Sequence, residues 1–384
     1  MNYRFLLAAW YLWFLVFGTR ASVSPVLPAV EDEFHLSHGA AGSLVMVMGI
    51  GNVGMFLAAG LVASLLGYRR VLVLSVTLAA GFLTLVSLAP SFWAMAGALF
   101  LVGASAGAFL PSMLSILTAG VPPHRWGTAI GLFDTAASLS VVAIPMLASV
   151  LLPVTTWRWL FRIMTGALVV GLGPFLLTAP PVQGRPALPR GSLRRTFGSR
   201  SLLILILLWV LCTANSMALY SIMPLYLVKA RGMEIALANS IVGLTRLPSV
   251  LAPILTGWLL DRFGGRAVLG GVTAVAGGAS CAIALFRSFP LLVAAMVVNA
   301  VAANGFFAAG LAYIARLVGP REQAATTGYV GATGILLGFS LMPPLLGVVA
   351  DRLSFEAGII MAGGVTVLLS PLSRWLDEGS GTAG

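Results

Sequence analysis

Three charged residues, Arg20, Asp134 and Arg246, lie inside apolar stretches of the sequence. A charge within a membrane-spanning segment costs about 2.5–3.5 kcal/mol, so such charges generally serve a substrate, an ion or a partner. A guanidinium presents a rigid fork of donors that fits a carboxylate. A desolvated carboxylate binds its proton more tightly, as proton coupling requires. The three residues therefore predict an anion site with an acid that could carry a proton.

Both arginines are predicted to lie deep within their segments. Arg20 is about 15 residues, or about 22 Å, into the first segment, and Arg246 lies at a similar depth in another. Gly18 and Pro25 near Arg20 should loosen that helix and free backbone groups to line a cavity. Arg20 could instead reach the outer surface or pair within the bundle, and Arg246 could simply bond to backbone carbonyls.

Asp134 is the only acid predicted inside a span, about 10 Å from the inner end of its helix. It could carry the coupled proton, or it could pair with Arg262 or another arginine near the inner surface. Two arginines against one aspartate leave about one positive charge, which favours an anionic substrate.

Polar side chains elsewhere in the apolar segments are further candidates for substrate contacts. They are Asn52, Asn215, Tyr220, Asn299, Asn304 and Tyr329. Such residues also form ordinary hydrogen bonds between membrane helices, worth about 0.6 kcal/mol each. Either role is open for each of them.

The composition requires lipid as the solvent for most of the chain. Of the 384 residues, 59% are hydrophobic and 9% are charged, whereas soluble domains average about 25% charged residues. The net charge of +11 does not indicate nucleic-acid binding, because the basic residues lie between apolar segments. Cys212 and Cys281 offer neither metal spacing nor a disulfide framework, so no metal or cofactor is expected.

Twelve apolar segments are long enough to span a bilayer, which takes about 20 residues. They are predicted at 5–28, 40–65, 71–89, 93–118, 127–152, 157–179, 201–228, 235–260, 266–286, 289–317, 324–349 and 356–375. Barrel strands would alternate apolar and polar residues, and these segments do not. The first segment follows Met1 directly without a small-residue cleavage site, so it is expected to be retained.

The distribution of basic residues predicts the topology. With both termini cytoplasmic, 14 of the 22 Lys and Arg residues fall on the cytoplasmic side and 6 on the outer side, as the positive-inside rule requires. The protein is therefore expected to be a multi-pass membrane protein with both termini in the cytoplasm. Its excess of arginine over lysine and its heavy Ala and Gly content are typical of a GC-rich bacterial genome, so the membrane is expected to be a bacterial inner membrane.

An internal repeat divides the predicted helices six and six. The segment starting at Gly60 resembles the one starting at Gly257, and Pro123 and Gly131 match Pro320 and Gly328, always 197 positions apart. The predicted domains are a first half at 1–180, a cytoplasmic linker rich in Pro, Gly and Arg at 181–200, and a second half at 201–384. Repeats of this kind place the substrate site near the bilayer midplane.

These features resemble the major facilitator superfamily. Its signature G-x-L-A-D-R-x-G-R-R is nearly complete at Gly257, Asp261, Arg262, Gly264 and Arg266, while Ser64 and Leu65 replace its Asp-Arg pair in the first copy. Trp157 to Phe161 is similar to the W-R-W-x-F start of the sixth helix. The resemblance implies a monomeric secondary transporter of twelve helices that moves a small molecule, with no enzymatic activity.

The signature implies a cytoplasmic gate. In the family fold, Asp261 can face the N-terminus of the fifth helix, where a carboxylate is favoured by the helix dipole. Asp261, Arg262 and Arg266 would then latch this gate. Alternatively, Asp261 and Arg262 only fix the turn of their loop.

The end of the first segment is similar to the D-R-x-x-x-S motif of the anion:cation symporter branch. Arg20 and Ser24 match it, and the resemblance implies that Arg20 binds the substrate's carboxylate. Thr19 replaces the aspartate, so the branch's proton-coupling residue is missing here.

Two other classes of function compete with anion transport. A drug efflux antiporter would carry G-x-x-x-G-P-x-x-G-G in the fifth helix, but only Pro145 of that motif is present. An enzyme or a sensor would need converging nucleophiles, bases or ligands, and His35, His38 and His124 are all expected in loops. The sequence thus favours a proton-coupled transporter of a small organic anion.

Overall fold

The computed structural model describes residues 3–122, 125–179, 198–318 and 320–377, and every regular element within these ranges is helical. The first eight α-helices are α1 (Tyr3–Ala21), α2 (Leu27–Phe34), α3 (His38–Leu66), α4 (Tyr68–Leu88), α5 (Phe92–Gly107), α6 (Phe109–Gly120), α7 (Trp126–Leu151) and α8 (Arg158–Thr178). The remaining eight are α9 (Arg200–Thr213), α10 (Leu219–Lys229), α11 (Ile235–Leu244), α12 (Ala252–Leu285), α13 (Phe289–Leu317), α14 (Pro320–Thr333), α15 (Met342–Arg352) and α16 (Phe355–Leu369).

Continuous helical stretches within the described residues are long enough to cross a membrane. There are 11 of them, and one, Ile235–Leu285, has 51 residues. At 1.5 Å per residue it is about 76 Å long, more than twice the thickness of a hydrocarbon core. Gly264 interrupts it with φ 77° and ψ 163°, outside helical geometry. The 11 stretches therefore accommodate the twelve predicted spans, and the protein is an all-α, multi-pass membrane protein.

Several of these stretches change helix type along their length. Short 3-10 segments follow α1 at Ser24–Val26 and α11 at Leu247–Leu251, and both contain a proline. Proline lacks the N–H that an α-helix needs and so interrupts it. Wider π-helical turns join α9 to α10 at Ala214–Ala218 and α14 to α15 at Gly334–Ser340. The predicted loosening of the first span beyond Arg20 is thus present in the structure.

The contacts divide the chain into two compact units. Unit 1 comprises Met1–Leu36, Ser43–Leu188 and Met223–Leu244, and unit 2 comprises Ser37–Gly42, Pro189–Ile222 and Thr245–Gly384. These units differ from the predicted six-helix halves by two exchanged segments. The division into halves stays a prediction, and residues 180–197 of the predicted linker lie outside the described part of the chain.

In unit 1, helix α1 packs against α7 and α8, and α4 packs against α5 and α8. Trp13 of α1 stacks between two rings, with centroid distances of 5.7 Å to Phe109 and 5.6 Å to Phe133. All three side chains are buried. In a membrane, close packing of this kind supplies most of the attraction between helices.

In unit 2, α12 packs against α13 and α16. Trp209 of α9 contacts the ring of Phe306 at 5.8 Å. Phe109 and Phe306 are 197 positions apart, so each unit contains a tryptophan packed on the phenylalanine at the same position of the repeat. This agreement supports the internal repeat found in the sequence.

The start of α3 is capped by Asp351 within unit 2. The backbone N–H groups of His38 and Gly39 donate to its two carboxylate oxygens at 2.8 and 2.9 Å. A carboxylate at a helix N-terminus satisfies free N–H groups and is favoured by the helix dipole. The placement of His38 in a loop was therefore wrong, since α3 begins at this residue, two positions before the predicted start.

Charged residues form two clusters in unit 1. Lys229 at the end of α10 bonds to Asp32 and lies 3.5 Å from Glu31. Arg158 lies 2.6 Å from Glu33, which also accepts a hydrogen bond from Trp157. Both clusters connect segments that are more than 120 residues apart in sequence.

Candidate functional site

Arg20 lies next to the last residue of α1 and is half-buried in unit 1. Its guanidinium donates a hydrogen bond to Oδ1 of Asn52. The guanidinium carbon also lies 5.7 Å from the ring centroid of Phe17. Both partners are neutral, so they hold the arginine in place, and no carboxylate among the described residues pairs with it.

Asn52 is positioned by a close contact between α3 and α5. Its Nδ2 donates to the carbonyl of Gly103 at 3.3 Å, and its side chain is almost fully buried. A Cβ on Gly103 would lie 1.9 Å from the carbonyl oxygen of Met48, and one on Gly107 would lie 2.3 Å from that of Asn52. Only glycine permits this approach, so these two residues fix the amide that holds Arg20.

Arg246 is the corresponding charge of unit 2, and it too is half-buried. Its guanidinium donates to the carbonyl of Ser216 at 2.7 Å and to the hydroxyl of Ser216 at 3.3 Å. It also lies 4.6 Å from the ring centroid of Tyr220. Ser216 belongs to the π-helical turn Ala214–Ala218, so the predicted contact to backbone carbonyls is present.

The two arginines occupy similar local settings. Arg20 ends its α-helix shortly before the 3-10 segment with Pro25, and Arg246 directly precedes the 3-10 segment with Pro248. Interrupted helices within a membrane protein expose backbone groups and usually line a cavity or a binding site. Each unit therefore carries one guanidinium at a helix interruption, held by a neutral polar residue and an aromatic ring.

Asp134 lies on α7 in unit 1, and its side chain is exposed. Its carboxylate interacts with the buried indole N–H of Trp13. The neighbouring Thr135 accepts a hydrogen bond from Trp10 at 2.9 Å. Asp134 is thus accessible beside a cluster of tryptophans on α1.

The other predicted polar residues mostly bond to neighbouring helices. Asn299 donates to the carbonyl of Ala276 at 3.1 Å, and Asn304 donates to Ser249 at 3.0 Å. Asn215 donates to Thr366 at 2.6 Å, while its buried Oδ1 has no partner among the described residues. Tyr329 is half-buried on α14. Asn299 and Asn304 therefore hold helices of unit 2 together.

The three signature residues have different surroundings in unit 2. Asp261 and Arg262 are exposed, and Arg262 lies over the rings of Trp258 and Phe263. Arg266 donates to the backbone carbonyl of Leu376, near the end of the described chain. The latch role of these residues stays a prediction.

Sequence reasoning missed Phe17 and Ser216, which hold the two arginines. Phe17 lies three positions before Arg20, which is the spacing of neighbours on one helix face, so its contact was detectable. No local pattern identifies Ser216, because its contact depends on a π-helical turn and on a residue 30 positions away.

Known proteins share this sequence and fold. The sequence matches the Major Facilitator Superfamily over residues 9–248 and again over residues 214–381. Among relatives, it is 33% identical over 81 residues to the uncharacterized MFS-type transporter Rv1250 of Mycobacterium tuberculosis (strain ATCC 25618 / H37Rv), an alignment that spans 21% of this chain and only 14% of that protein.

Solved structures resemble the chain over nearly its whole length. An inward-facing bacterial homologue of the human lysosomal transporter Spinster has a TM-score of 0.82 at 18% identity, with 98% of this chain and 96% of the other covered. The nucleoside transporter NupG has a TM-score of 0.79 at 18% identity, with 98% of this chain and 99% of the other covered. A D-xylose-proton symporter also has a TM-score of 0.79, at 15% identity, with 99% of both chains covered.

At these identities the structures establish the fold, and the sequence match establishes the family. The interrupted helices, the two guanidiniums within spans and the repeat agree with both. The chain belongs to the major facilitator superfamily, a family of membrane transporters.

Proposed function

We propose that this protein is a secondary transporter of a small organic anion, coupled to protons and working by alternating access. Arg20 and Arg246 bind the anion during the cycle, and Asp134 carries the proton. The halves at 1–180 and 201–384 move relative to each other, joined by the linker at 181–200. The protein acts as a monomer in a bacterial inner membrane with both termini in the cytoplasm.

The observation that carries this proposal is that both arginines have only neutral partners among the described residues. Arg20 bonds to Asn52, and Arg246 bonds to Ser216. An arginine that served only to hold helices together would be expected to pair with a carboxylate, because a charge without a counter-charge within a span costs free energy. An uncompensated guanidinium is suited to a mobile anion, which it can bind in a bidentate manner.

The proposed proton carrier is supported by its position. Asp134 is the only acid predicted inside a span, and its exposed side chain lies beside Trp13 of α1, the helix that carries Arg20. Protonation would remove one negative charge from the cavity. This change raises the net positive charge and would favour entry of an anion together with a proton.

Ligand-induced thermal stabilisation of the purified full-length protein tests the anion site. A ligand that binds the folded state raises the melting temperature. At a concentration of 100 times its Kd, it increases the free energy of unfolding by about 2.7 kcal/mol. We expect stabilisation by small carboxylates, and we expect Arg20→Ala and Arg246→Ala each to abolish it. Arg287→Ala is the matched control, because it removes an exposed charge outside the helices and should leave the stabilisation intact.

Uptake into proteoliposomes with an imposed proton gradient tests the coupling. Asp134→Asn should abolish accumulation driven by the gradient while preserving carboxylate binding. Stabilisation by lipophilic cations that is unaffected in Arg20→Ala, together with loss of transport in Asp134→Asn, would contradict the proposal and favour drug efflux.

A further inference from the structure

One face of α1 carries a row of aromatic residues that ends at Arg20. Trp10, Phe14 and Phe17 precede Arg20 at spacings of four, three and three residues, which places all four side chains on the same side of the helix. Each is half-buried, whereas the residues between them are mostly fully buried. The row is about 15 Å long, from ten residues at 1.5 Å each.

The rings in this row are ordered by contacts with their neighbours. Trp10 and Phe14 stack with centroids 5.7 Å apart and planes 13° apart. Trp10 is tied to α7 by its hydrogen bond to Thr135. Phe17 meets the edge of Trp13 at 5.3 Å and lies below the guanidinium of Arg20. The aromatic surface is therefore built by unit 1 alone.

This face does not belong to the lipid boundary, because a charged guanidinium there would be exposed to hydrocarbon. Arg20 instead bonds to Asn52 of α3 on the same side. Phe14 and Phe17 on that face therefore line the interior of the protein, where their exposed ring surface is available to a solute.

We infer that the anion site takes an aromatic carboxylate, with its carboxylate on Arg20 and its ring against Phe17 and Phe14. This inference rests on the proposed function and specifies its substrate class. An aromatic ring gains both apolar burial and ring–ring contacts at such a surface. A short aliphatic anion would bind the guanidinium and leave three rings uncovered.

Unit 2 supports the same substrate class independently. Its arginine, Arg246, lies over the ring of Tyr220. Two N–H groups of Arg246 donate to Ser216, and the other N–H donors of its guanidinium can bind a carboxylate. Both units thus combine one guanidinium with at least one ring.

The test compares binding of four probes to the purified full-length protein by thermal stabilisation and by equilibrium titration. Phenylacetate carries both a carboxylate and an aromatic ring. Cyclohexylacetate has the same charge and a similar size without a π system. Acetate has the charge alone, and 2-phenylethanol has the ring alone. We expect phenylacetate to bind at least about tenfold more tightly than acetate and severalfold more tightly than cyclohexylacetate, and 2-phenylethanol to bind least.

Two variants separate the ring surface from the guanidinium. Phe17→Leu should reduce the preference for phenylacetate over acetate about tenfold. Phe100→Leu is the matched control, because Phe100 is an exposed ring on α5 away from this row. Should Phe17→Leu fail to fold, Phe14→Leu supplies the same comparison.

The outcomes distinguish this inference from the proposed function. Equal binding of acetate, cyclohexylacetate and phenylacetate, all lost in Arg20→Ala, would overturn the aromatic class and support anion transport. Binding of no carboxylate would overturn both. Preference for phenylacetate that disappears in Phe17→Leu and persists in Phe100→Leu would support both.

Discussion

Lys229 bonds to Asp32, and these two residues are 197 positions apart, the same interval that separates the matching motifs of the internal repeat. Two equivalent positions of the repeat, with opposite charges, therefore pair directly within unit 1. The repeat thus provides a pairing that neither copy could make alone.

Removing Lys229 should destabilise the protein chiefly through Glu31. The side chain of Glu31 is 6% exposed, while that of Asp32 is 68% exposed, so Glu31 has less access to water once the cation is lost. We expect Lys229→Met to lower the free energy of unfolding by about 1–3 kcal/mol. Thermal unfolding in detergent measures this loss.

The double variant Lys229→Met/Glu31→Gln should recover most of that stability, because the uncompensated buried charge is gone. Lys229→Arg is the control and should melt close to the wild type. Equal melting temperatures for Lys229→Met and the wild type would show that the ion pairs contribute nothing.

Asp351 should stabilise the first turn of α3. Asp351→Ala removes the acceptor of two backbone N–H groups and should cost about 0.5–2 kcal/mol. Asp351→Asn keeps one carbonyl oxygen and should cost less. Hydrogen exchange by mass spectrometry should show faster exchange at the start of α3 in Asp351→Ala, and unchanged exchange there would argue against the cap.

Gly347 should tolerate no side chain. A Cβ at this position would lie 2.3 Å from the carbonyl oxygen of His38 and 2.6 Å from the backbone nitrogen of Gly39, and backbone atoms cannot move aside cheaply. We expect Gly347→Ala to destabilise the protein by about 1–3 kcal/mol, measured by thermal unfolding.

Gly364 on α16 is the matched control, because a Cβ there meets no atom within 4 Å. Gly364→Ala should be neutral or stabilising by up to about 1 kcal/mol, as alanine is the better helix former. Similar destabilisation in both variants would contradict a role for close backbone approach.

Substitution of Asp261 should change the transport rate more than the stability of the protein. Its side chain is exposed, and exposed substitutions usually change the free energy of unfolding by less than about 0.5 kcal/mol. If Asp261 latches the proposed cytoplasmic gate, Asp261→Asn should slow uptake severalfold at unchanged melting temperature and ligand affinity. Unchanged uptake would show that Asp261 does not latch a gate and that it only fixes the turn of its loop.

The sequence predicted features that depend on composition or on local spacing. The membrane spans follow from apolar segments, and the loosened helix after Arg20 follows from Pro25. Gly264 was predicted within a signature motif, and its positive φ explains why glycine is required there. The depth of Arg20 and Arg246 within the membrane stays a prediction, because it rests only on counting residues along a helix.

The partners of these residues were harder to predict. Asp351 caps a helix that starts 313 positions earlier, and no local pattern connects the two. Asn52 was a candidate on its polarity alone, but its bond to Arg20 depends on the tight contact of α3 and α5. Asn299 had the same polarity and bonds to Ala276 and Ser280, because tertiary packing decides which amide meets which partner.

The two π-helical turns coincide with changes in the spacing of the internal repeat. A π turn accommodates one residue more than an α turn. Trp13 and Trp209 are 196 positions apart, but beyond the turn Ala214–Ala218 the interval is 197, as for Asp32 and Lys229.

The same change occurs at the second π turn. Gly131 and Gly328 are 197 positions apart, but beyond Gly334–Ser340 the interval is 198 for Pro145 and Pro343. In both places the second copy has one residue more than the first between the matched positions. The carbonyl of Ser216 that holds Arg246 lies in one of these widened turns, so the anchor of that arginine stands where the two copies of the repeat differ in length.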